Sequence, residues 1–576
     1  MSQKKIKRER REKKIPDSLK GPAAVRDGEE EAFGIRRILK ENWKFLLAMC
    51  VGVVLLYING MNGDFVSDDY ATIPQNPLVG DIKYSLLNKD TRNLVILSNA
   101  FIAALFGIIN TFPFHFYSLL VYIVVCGVVF VFIYQLMGKN VAMMATAIFA
   151  VHPIHVEAIT WISGKPYLLS TLFLLLTLIN LKALLSTGKK KYLLMVVLMF
   201  FLAYKAEGAR CLTIFFLAPL LFIYQGVRGV KISLKRLVLS AVVVALTVVV
   251  IIWPRIITRV NVVNSGYNAT AGLFYNPFFQ YPTSVAKYLQ LLLIPIDLTL
   301  YHTMFTFPVW LNWAILLVYM GAVVYFFFKN KKIFFALAFI FLASVTSMAP
   351  VKVSWLVAER YMFFGSLGFC LLLGLLFFDI SKKNSHISTF LLVLILVVFS
   401  LRTFLRNDDW NTNHKLWVNT CQVSPNSHNA WNNIGDDYDK LVQYDNAIKG
   451  FSQSTTVKPD YADAYHNRAN IFYKIGRLDL ARESYNIALS YSPTLYQTYL
   501  SLIQIDILEK KFTLAEEQAK KAIEIQPGNP QAGYVLAVVY AEMGEKEKSR
   551  LVLETILKSF PDYQLAREML MKLNST

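Results

Sequence analysis

Apolar residues run through this chain in long blocks up to about residue 406 and in short periodic clusters after it. The blocks Trp43–Ile58, Phe114–Tyr134, Tyr167–Leu185, Leu237–Trp253, Pro308–Phe328 and Thr389–Leu405 come close to the length a helix needs to cross about 30 Å of hydrocarbon. With shorter runs between them, the pattern predicts about eleven helical spans. They lie near 43–60, 114–136, 140–151, 167–185, 191–204, 210–224, 234–253, 308–328, 332–349, 361–378 and 387–405. Three regions follow: a polar tail at 1–42, a multi-span membrane domain at 43–406, and a soluble domain at 407–576.

The soluble region is ordered by a different period. Pro425, Pro459, Pro493, Pro527 and Pro561 recur every 34 residues, the length of a tetratricopeptide repeat (TPR). Trp431, Ile434, Gly435, Tyr438, Ala447, Phe451 and Pro459 fill the repeat's template, as do Tyr465, Ala469, Phe472, Ala481, Tyr485, Ala488 and Pro493. Small residues let paired helices approach, large ones fill the gap, and proline closes a helix where no further donor is needed. The reading is a half-repeat at 410–425, four repeats over about 428–561 and a capping helix at 563–576, making the whole protein all-α. On first helices, Asn429, Asn432, Asn433 and Asp436, then Asp463, His466, Asn467 and Asn470, take positions that line the groove of such a stack. Asparagine amides can grip a peptide backbone without reading its sequence. The same residues also suit a solvated helix face.

Charge changes the picture of the first region. The chain of 576 residues is 55% hydrophobic with a formal net charge of +20, yet the excess of lysine and arginine lies before residue 407. Basic residues fall in alternate loops: Lys139; Lys182 with Lys189, Lys190 and Lys191; Arg228, Lys231, Lys235 and Arg236; Lys329, Lys331 and Lys332; Lys382 and Lys383. That is a positive-inside topology, not a nucleic-acid footprint. The tail, with Lys4, Lys5, Lys7, Arg8, Arg10 and Arg11, reads as disordered and cytosolic. Nine of the ten acidic residues between 43 and 406 fall on the opposite, outer side: Asp64, Asp68, Asp69, Asp81, Asp90, Glu157, Glu207, Asp297 and Glu359. Acidic residues are weak topology determinants, so this segregation points to a chemical face. An odd number of spans puts the TPR domain on that face. The five cysteines make no disulfide or metal framework.

The candidate chemistry sits in five segments of that face. Asp68-Asp69 follows the first span, and adjacent carboxylates suit a general base because a like-charged neighbour raises its pKa. Then come His152-Pro153-Ile154-His155-Val156-Glu157, Gly164-Lys165, Lys205-Ala206-Glu207-Gly208 with Arg210, and Ala358-Glu359-Arg360-Tyr361. Lys165, Lys205, Arg210 and Arg360 are cations on the outer side, where charge near membrane depth costs roughly 2.5–3.5 kcal/mol. They suit an anionic leaving group, or else snorkel from helix ends. His152, His155 and Glu157 have a spacing open to three readings: metal ligation, hydrogen bonding to sugar or phosphate, and loop structure. Pro153 opposes the first, because it breaks the helix that would align them.

Together these motifs, in this order and ahead of TPRs, resemble the transmembrane and tetratricopeptide-repeat O-mannosyltransferase family and its bacterial relatives of the GT-C class. The resemblance covers nearly the whole chain after the tail. It implies a GT-C-type membrane glycosyltransferase that takes a sugar, mannose in the animal members, from a polyprenyl or dolichyl phosphate. The acceptor would be the hydroxyls of an extracytoplasmic polypeptide held by the TPRs. On this reading Asp68 and Asp69 are catalytic, and His152, His155, Glu157, Lys165, Lys205, Glu207, Arg210, Glu359 and Arg360 hold the donor's phosphate and sugar. A divalent ion, Mg or Mn, bridging Asp69 and the phosphate is compatible with it. The chain departs from the family at Gly164-Lys165-Pro166 and Lys205-Ala206-Glu207-Gly208, where charge class survives but position shifts. The competing readings are a non-catalytic TPR scaffold, a transporter of lipid-linked sugars, and a ligase of whole glycans. An anchor needs one span, and a transporter would carry its charges at midplane. The basic tail tilts the compartment to a bacterial inner membrane with periplasmic TPRs over the endoplasmic reticulum.

Overall fold

The computed structural model describes residues 34–88, 92–226, 276–305, 307–347 and 355–575. The tail to residue 33, the span at 234–253, Asp90 and the basic group Arg228, Lys231, Lys235 and Arg236 lie outside the described residues. Those described are helical with no strand among them, and the chain divides into two units: residues 1–300 with 305–412, and Tyr301–Met304 with Asn413–Thr576.

In the first unit, five helices are long and apolar enough to cross a membrane: Trp43–Gly60, Phe112–Met137, Ile162–Thr187, Val309–Lys329 and Ser385–Asp408. Lys139–Val151 with Pro153–Ile159 makes a sixth, if a pair bent by 56° counts as one. The bend falls where proline removes a backbone donor and His152 Nδ1 accepts from the Ile154 amide instead. Other expected spans are helical but shorter, among them Lys190–Ala206 and Lys331–Ser344, so five or six spans are supported among the described residues where eleven were expected over the whole chain. Asn93–Phe106 is an apolar helix absent from the expected list.

These helices turn large apolar side chains outward. Leu193, Leu194, Val197, Leu198 and Phe201 are exposed on one helix, and Phe390, Val393, Leu394, Val397 and Leu401 on another. Such continuous surfaces belong against lipid, and the protein is a multi-pass membrane protein. Where helices meet, small residues set the distance. A Cβ on Gly374 would lie 2.8 Å from that of Ala145, and one on Gly368 would lie 2.6 Å from the Ala336 carbonyl oxygen. Close backbone approach of this kind is how apolar helices associate where burial against water gives no drive.

The second unit is the expected stack. Helix pairs His428–Lys440 and Tyr444–Val457, Ala462–Lys474 and Leu478–Tyr491, Tyr496–Leu508 and Phe512–Ile525, and Pro530–Glu542 and Lys546–Ser559 follow the half-repeat helix Asn413–Val423 and precede Gln564–Ser575. Ala447, Ala464, Ala469, Ala481, Ala488, Ala515 and Ala522 are fully buried, and the Phe451 ring would meet a Cβ on Gly435 at 2.8 Å. Each pair turns through a left-handed residue at the same place in the repeat: Val442 at φ 60°, Gly476 at 79°, Lys510 at 58° and Gly544 at 78°. Two of the four are glycine. For an L-residue this conformation costs roughly 1–2 kcal/mol, and more for a β-branched one. Val442→Gly is therefore expected to stabilise the TPR unit by about 1 kcal/mol, read as a rise in its melting temperature. A fall would show that the exposed valine packs better than its backbone strain suggests.

Candidate active site of the membrane unit

The loop after the first long helix is strained where its acids stand. Ser67 holds φ at 54°, directly before Asp68 and Asp69, and such outliers gather at functional sites. The turn sends the two carboxylates apart: Asp68 is exposed and Asp69 fully buried. Asp69 Oδ1 accepts from the Ser163 amide at 2.8 Å and from its hydroxyl, and Oδ2 accepts from the Val66 amide at 3.2 Å. Burial pushes the carboxyl up to about 6, against those hydrogen bonds and the charge of Lys165. The receiving turn, Ile162–Gly164, is tight because a Cβ on Gly164 would lie 2.6 Å from the Glu157 carbonyl oxygen.

Lys165 is buried beside this loop. Its ammonium donates to Asn99 Oδ1 at 2.6 Å and lies 5.0 Å from the Phe114 ring centre.

The His-Pro segment is interior. His152 Nε2 lies 3.1 Å from the Leu292 carbonyl oxygen. His155 has Tyr122 Oη on Nδ1 at 2.9 Å and Ser366 Oγ on Nε2 at 2.7 Å. Both rings are fully buried with each nitrogen engaged by a protein partner. No group of three or more His, Cys, Asp or Glu is placed to hold a metal among the described residues, and both Asp69 oxygens are already committed to protein donors.

The remaining acids are partnered by arginines. Glu157, fully buried, is ion-paired with the Arg360 guanidinium and accepts the Arg360 amide at 2.7 Å. Glu359 is bound by Arg406 at 3.1 Å with neither side chain exposed, and Arg406 reaches Asp409 at 3.0 Å. Glu207 pairs with the half-exposed Arg92 at 2.9 Å.

Two of the four predicted cations converge. Arg210 is held between the rings of Tyr167 and Tyr361 at 4.4 and 4.5 Å and donates to the Tyr361 carbonyl at 3.3 Å. Arg360 Nε donates to Tyr167 Oη at 3.3 Å. Both guanidiniums line one recess with Tyr167, Ser170, Thr171 and Thr213. Its free space, about 10 Å³, is room for one water. Lys165 and Lys205 do not line it; Lys205 is half-buried in the last turn of Lys190–Ala206.

Ser163, Asn99, Tyr167 and Arg406 escaped the sequence reading, and Tyr361 entered it only as a neighbour of Arg360. Only Arg406 had a signal, a cation ending an apolar helix; the others are ordinary residues until the fold sets them beside a charge.

In the TPR unit, the groove positions join along the stack. Asn467 Nδ2 donates to Asn432 Oδ1 in the preceding repeat at 3.0 Å, and His466 Nδ1 lies 2.9 Å from Thr498 Oγ1 in the next. Burial lowers His466 to about 4, so it is neutral at pH 7. Asn470 accepts from Tyr485 Oη at 2.5 Å. Asn433 and Asn429 are half-buried. Asp463 is exposed. Asp436 forms an exposed pair with Lys440 at 2.6 Å, which is the solvated-face reading.

Two tetratricopeptide-repeat family models match the chain, at residues 462–495 and 506–573. Among curated proteins it is similar to protein O-mannosyl-transferase TMTC3. The mouse protein is 26% identical over 518 residues, covering 73% of this chain and 56% of that one. The human protein is 26% identical over 566 residues, covering 84% and 61%. Protein O-mannosyl-transferase F38B6.6 of Caenorhabditis elegans is 25% identical over 446 residues, covering 71% and 62%. The chain thus spans about three-fifths of the length of these relatives. Among solved structures it is similar to YrrB, described as a TPR protein with an unusual peptide-binding site, at 18% identity and a TM-score of 0.25, covering 34% of this chain and 96% of that one.

Proposed function

Taking the chain as a relative of the transmembrane and TPR protein O-mannosyl-transferases, we propose that it is a membrane glycosyltransferase of the same kind. It moves a sugar, mannose by analogy with the relatives' names, from a polyprenyl or dolichyl phosphate to hydroxyls of an extracytoplasmic polypeptide. The observation that carries this reading is the convergence of Arg210 and Arg360 on one recess of an otherwise apolar helix bundle. A departing lipid phosphate needs charge-assisted donors, and two guanidiniums supply them in a fork geometry. Arg210 is the less buried of the two, and a shift of its side chain would widen the recess for a phosphate.

The acceptor hydroxyl meets the exposed Asp68 first, while Asp69, held near 6, has the basicity suited to taking a proton close to neutral pH. On this reading the basic tail and the family's bacterial branch favour a bacterial inner membrane over the endoplasmic reticulum, and the loop charges put the TPR domain on its outer side.

Purified protein in lipid nanodiscs is therefore expected to transfer hexose from polyprenyl-phosphate-mannose to a Ser/Thr-rich polypeptide, detected by mass spectrometry of the product. Absence of product with dolichyl and bacterial polyprenyl donors alike would favour the scaffold.

Acceptor binding by the groove has its own readout. Asn432 and Asn467 bond to one another across repeats, so Asn433→Ala with Asn467→Ala removes one half-buried amide and one link of that ladder. The double variant should raise the concentration of protein acceptor needed for half-maximal rate about thirtyfold, at about 1 kcal/mol for each of two lost bonds. Transfer to a short hydroxyl acceptor should be unchanged. Equal loss with both acceptors would make the groove a structural support.

A further inference from the structure

A second cavity of the membrane unit lies away from the candidate active site, at the opposite ends of the same helices. Arg210 opens the turn Arg210–Thr213 that leads into Ile214–Gly226, and Arg360 precedes Ser366–Lys383. The other ends of those two helices carry Tyr224 on one and Leu375, Phe378 and Lys382 on the other, and with Lys331 and Lys332 these line a half-open cavity of about 340 Å³. A helix of 18 residues is roughly 27 Å long, so the two sites are about one bilayer apart. By loop charge this second end is the inner face.

The cavity has the composition of a site for an amphiphilic anion. Three lysines stand in its wall and one acid, Asp379, which is already paired with Lys382 at 2.6 Å. Asn330 caps Lys331–Ser344 by accepting from the Lys332 and Ile333 amides, so the positive end of that helix dipole also opens here. Lys331 is held against the Phe327 ring, its ammonium 3.4 Å from the centre. Tyr224, Leu375, Phe378 and Ile333 supply an apolar wall. The volume is within the range of small-molecule sites, about 300–1,000 Å³, and far above the single-water recess between the arginines.

We propose that this cavity binds the phosphate headgroup of an anionic phospholipid from the inner leaflet, with the lysines on the phosphate and the apolar wall against the first acyl carbons. Lysines at this face also orient the protein, and topology alone explains their sign. It does not explain a cavity of this size among them, with an apolar wall on one side and a capped helix start on the other. The site is independent of the catalytic reading, since it shares no residue with the candidate active site.

The test is lipid binding by the full chain in detergent, followed by native mass spectrometry with phosphatidylglycerol, phosphatidylcholine, glycerophosphate and inorganic phosphate as separate probes. Phosphatidylglycerol is expected to bind at least tenfold more tightly than phosphatidylcholine. Lys331→Gln and Lys332→Gln should each weaken it about fivefold, Lys331→Arg should not, and Ile333→Trp should weaken it by filling the wall without changing charge. Lys139→Gln with Lys190→Gln, inner-face lysines outside the cavity, should leave it unchanged. Equal weakening by that control pair, unaltered binding in Ile333→Trp, or equal affinity for the two lipids would overturn the site. Binding of glycerophosphate or inorganic phosphate as tight as that of the lipid would overturn the lipid as its occupant. Melting temperatures of all variants within a few degrees of the parent would exclude misfolding as the cause.

Discussion

Asp69→Asn is expected to cost both activity and stability, and Asp68→Asn activity alone. Asp69 is fully buried and both its oxygens accept from protein donors. An asparagine can keep one oxygen acceptor, but its NH2 must then face either Val66 N–H or the Ser163 donors. A buried donor left without an acceptor costs about 1–3 kcal/mol, which should lower the melting temperature by several degrees. Loss of the base should lower transfer by about 10²–10⁴-fold. Asp68 is exposed, so its replacement should leave the melting temperature within error and still reduce the rate. The wild-type pH profile checks which carboxylate titrates. The Asp69 carboxyl is raised to about 6 by burial, so its basic form is lost as pH falls through about 6, and the rate should fall with it. The stability sign is opposite. Because the folded pKa lies above the unfolded one, ionising the buried group weighs against the fold increasingly from about pH 4 to about pH 6 and by a constant amount above that. The absence of an acid limb near pH 6 would overturn Asp69 as the titrating base; unaltered turnover in both variants would remove the pair from the mechanism.

The arginines give the second large effect, and here too two residues separate two causes. Arg360→Ala leaves Glu157 ionised, fully buried and without its partner, a defect of about 3–5 kcal/mol. This variant is expected to fold poorly, so its low activity alone says little about phosphate. Arg210→Ala breaks no buried ion pair; it removes a half-buried guanidinium stacked between two tyrosines. A charged hydrogen bond contributes about 1.5–3 kcal/mol, so Arg210→Ala should raise the lipid-donor KM about 10–100-fold while leaving the acceptor KM and the melting temperature near the parent. Arg360→Lys, which keeps a cation on Glu157 but not the fork, should fold and also weaken donor use. Unchanged donor KM in both Arg210→Ala and Arg360→Lys would return these side chains to a packing role.

The sequence was most legible where function depends on a repeated local rule. The 34-residue proline period and its small and large positions gave every helix pair of the second unit, because each repeat packs only on its neighbours. It was less legible in the membrane unit. Eleven runs were counted by hydropathy, yet only five or six of the described helices are long and apolar enough to span by themselves. Short helices such as Lys331–Ser344 are buried against partners on several sides, and an apolar stretch reads the same whether it faces lipid or another helix.

The site divides along the same line. From residue types and order alone came the carboxylate pair, the outer-face cations and the kinship with O-mannosyltransferases. Which of those charges are available for chemistry was decided only by folding. Glu157 and Glu359 are consumed by Arg360 and Arg406, the histidines by Tyr122, Ser366 and backbone carbonyls, and Lys165 by Asn99. The physical reason is that a buried polar group must be satisfied where no water reaches it, and its partners come from segments as far apart as Glu157 and Arg360 or Glu359 and Arg406. Sequence names the charges because composition and spacing are local. Tertiary structure selects among them because pairing is not.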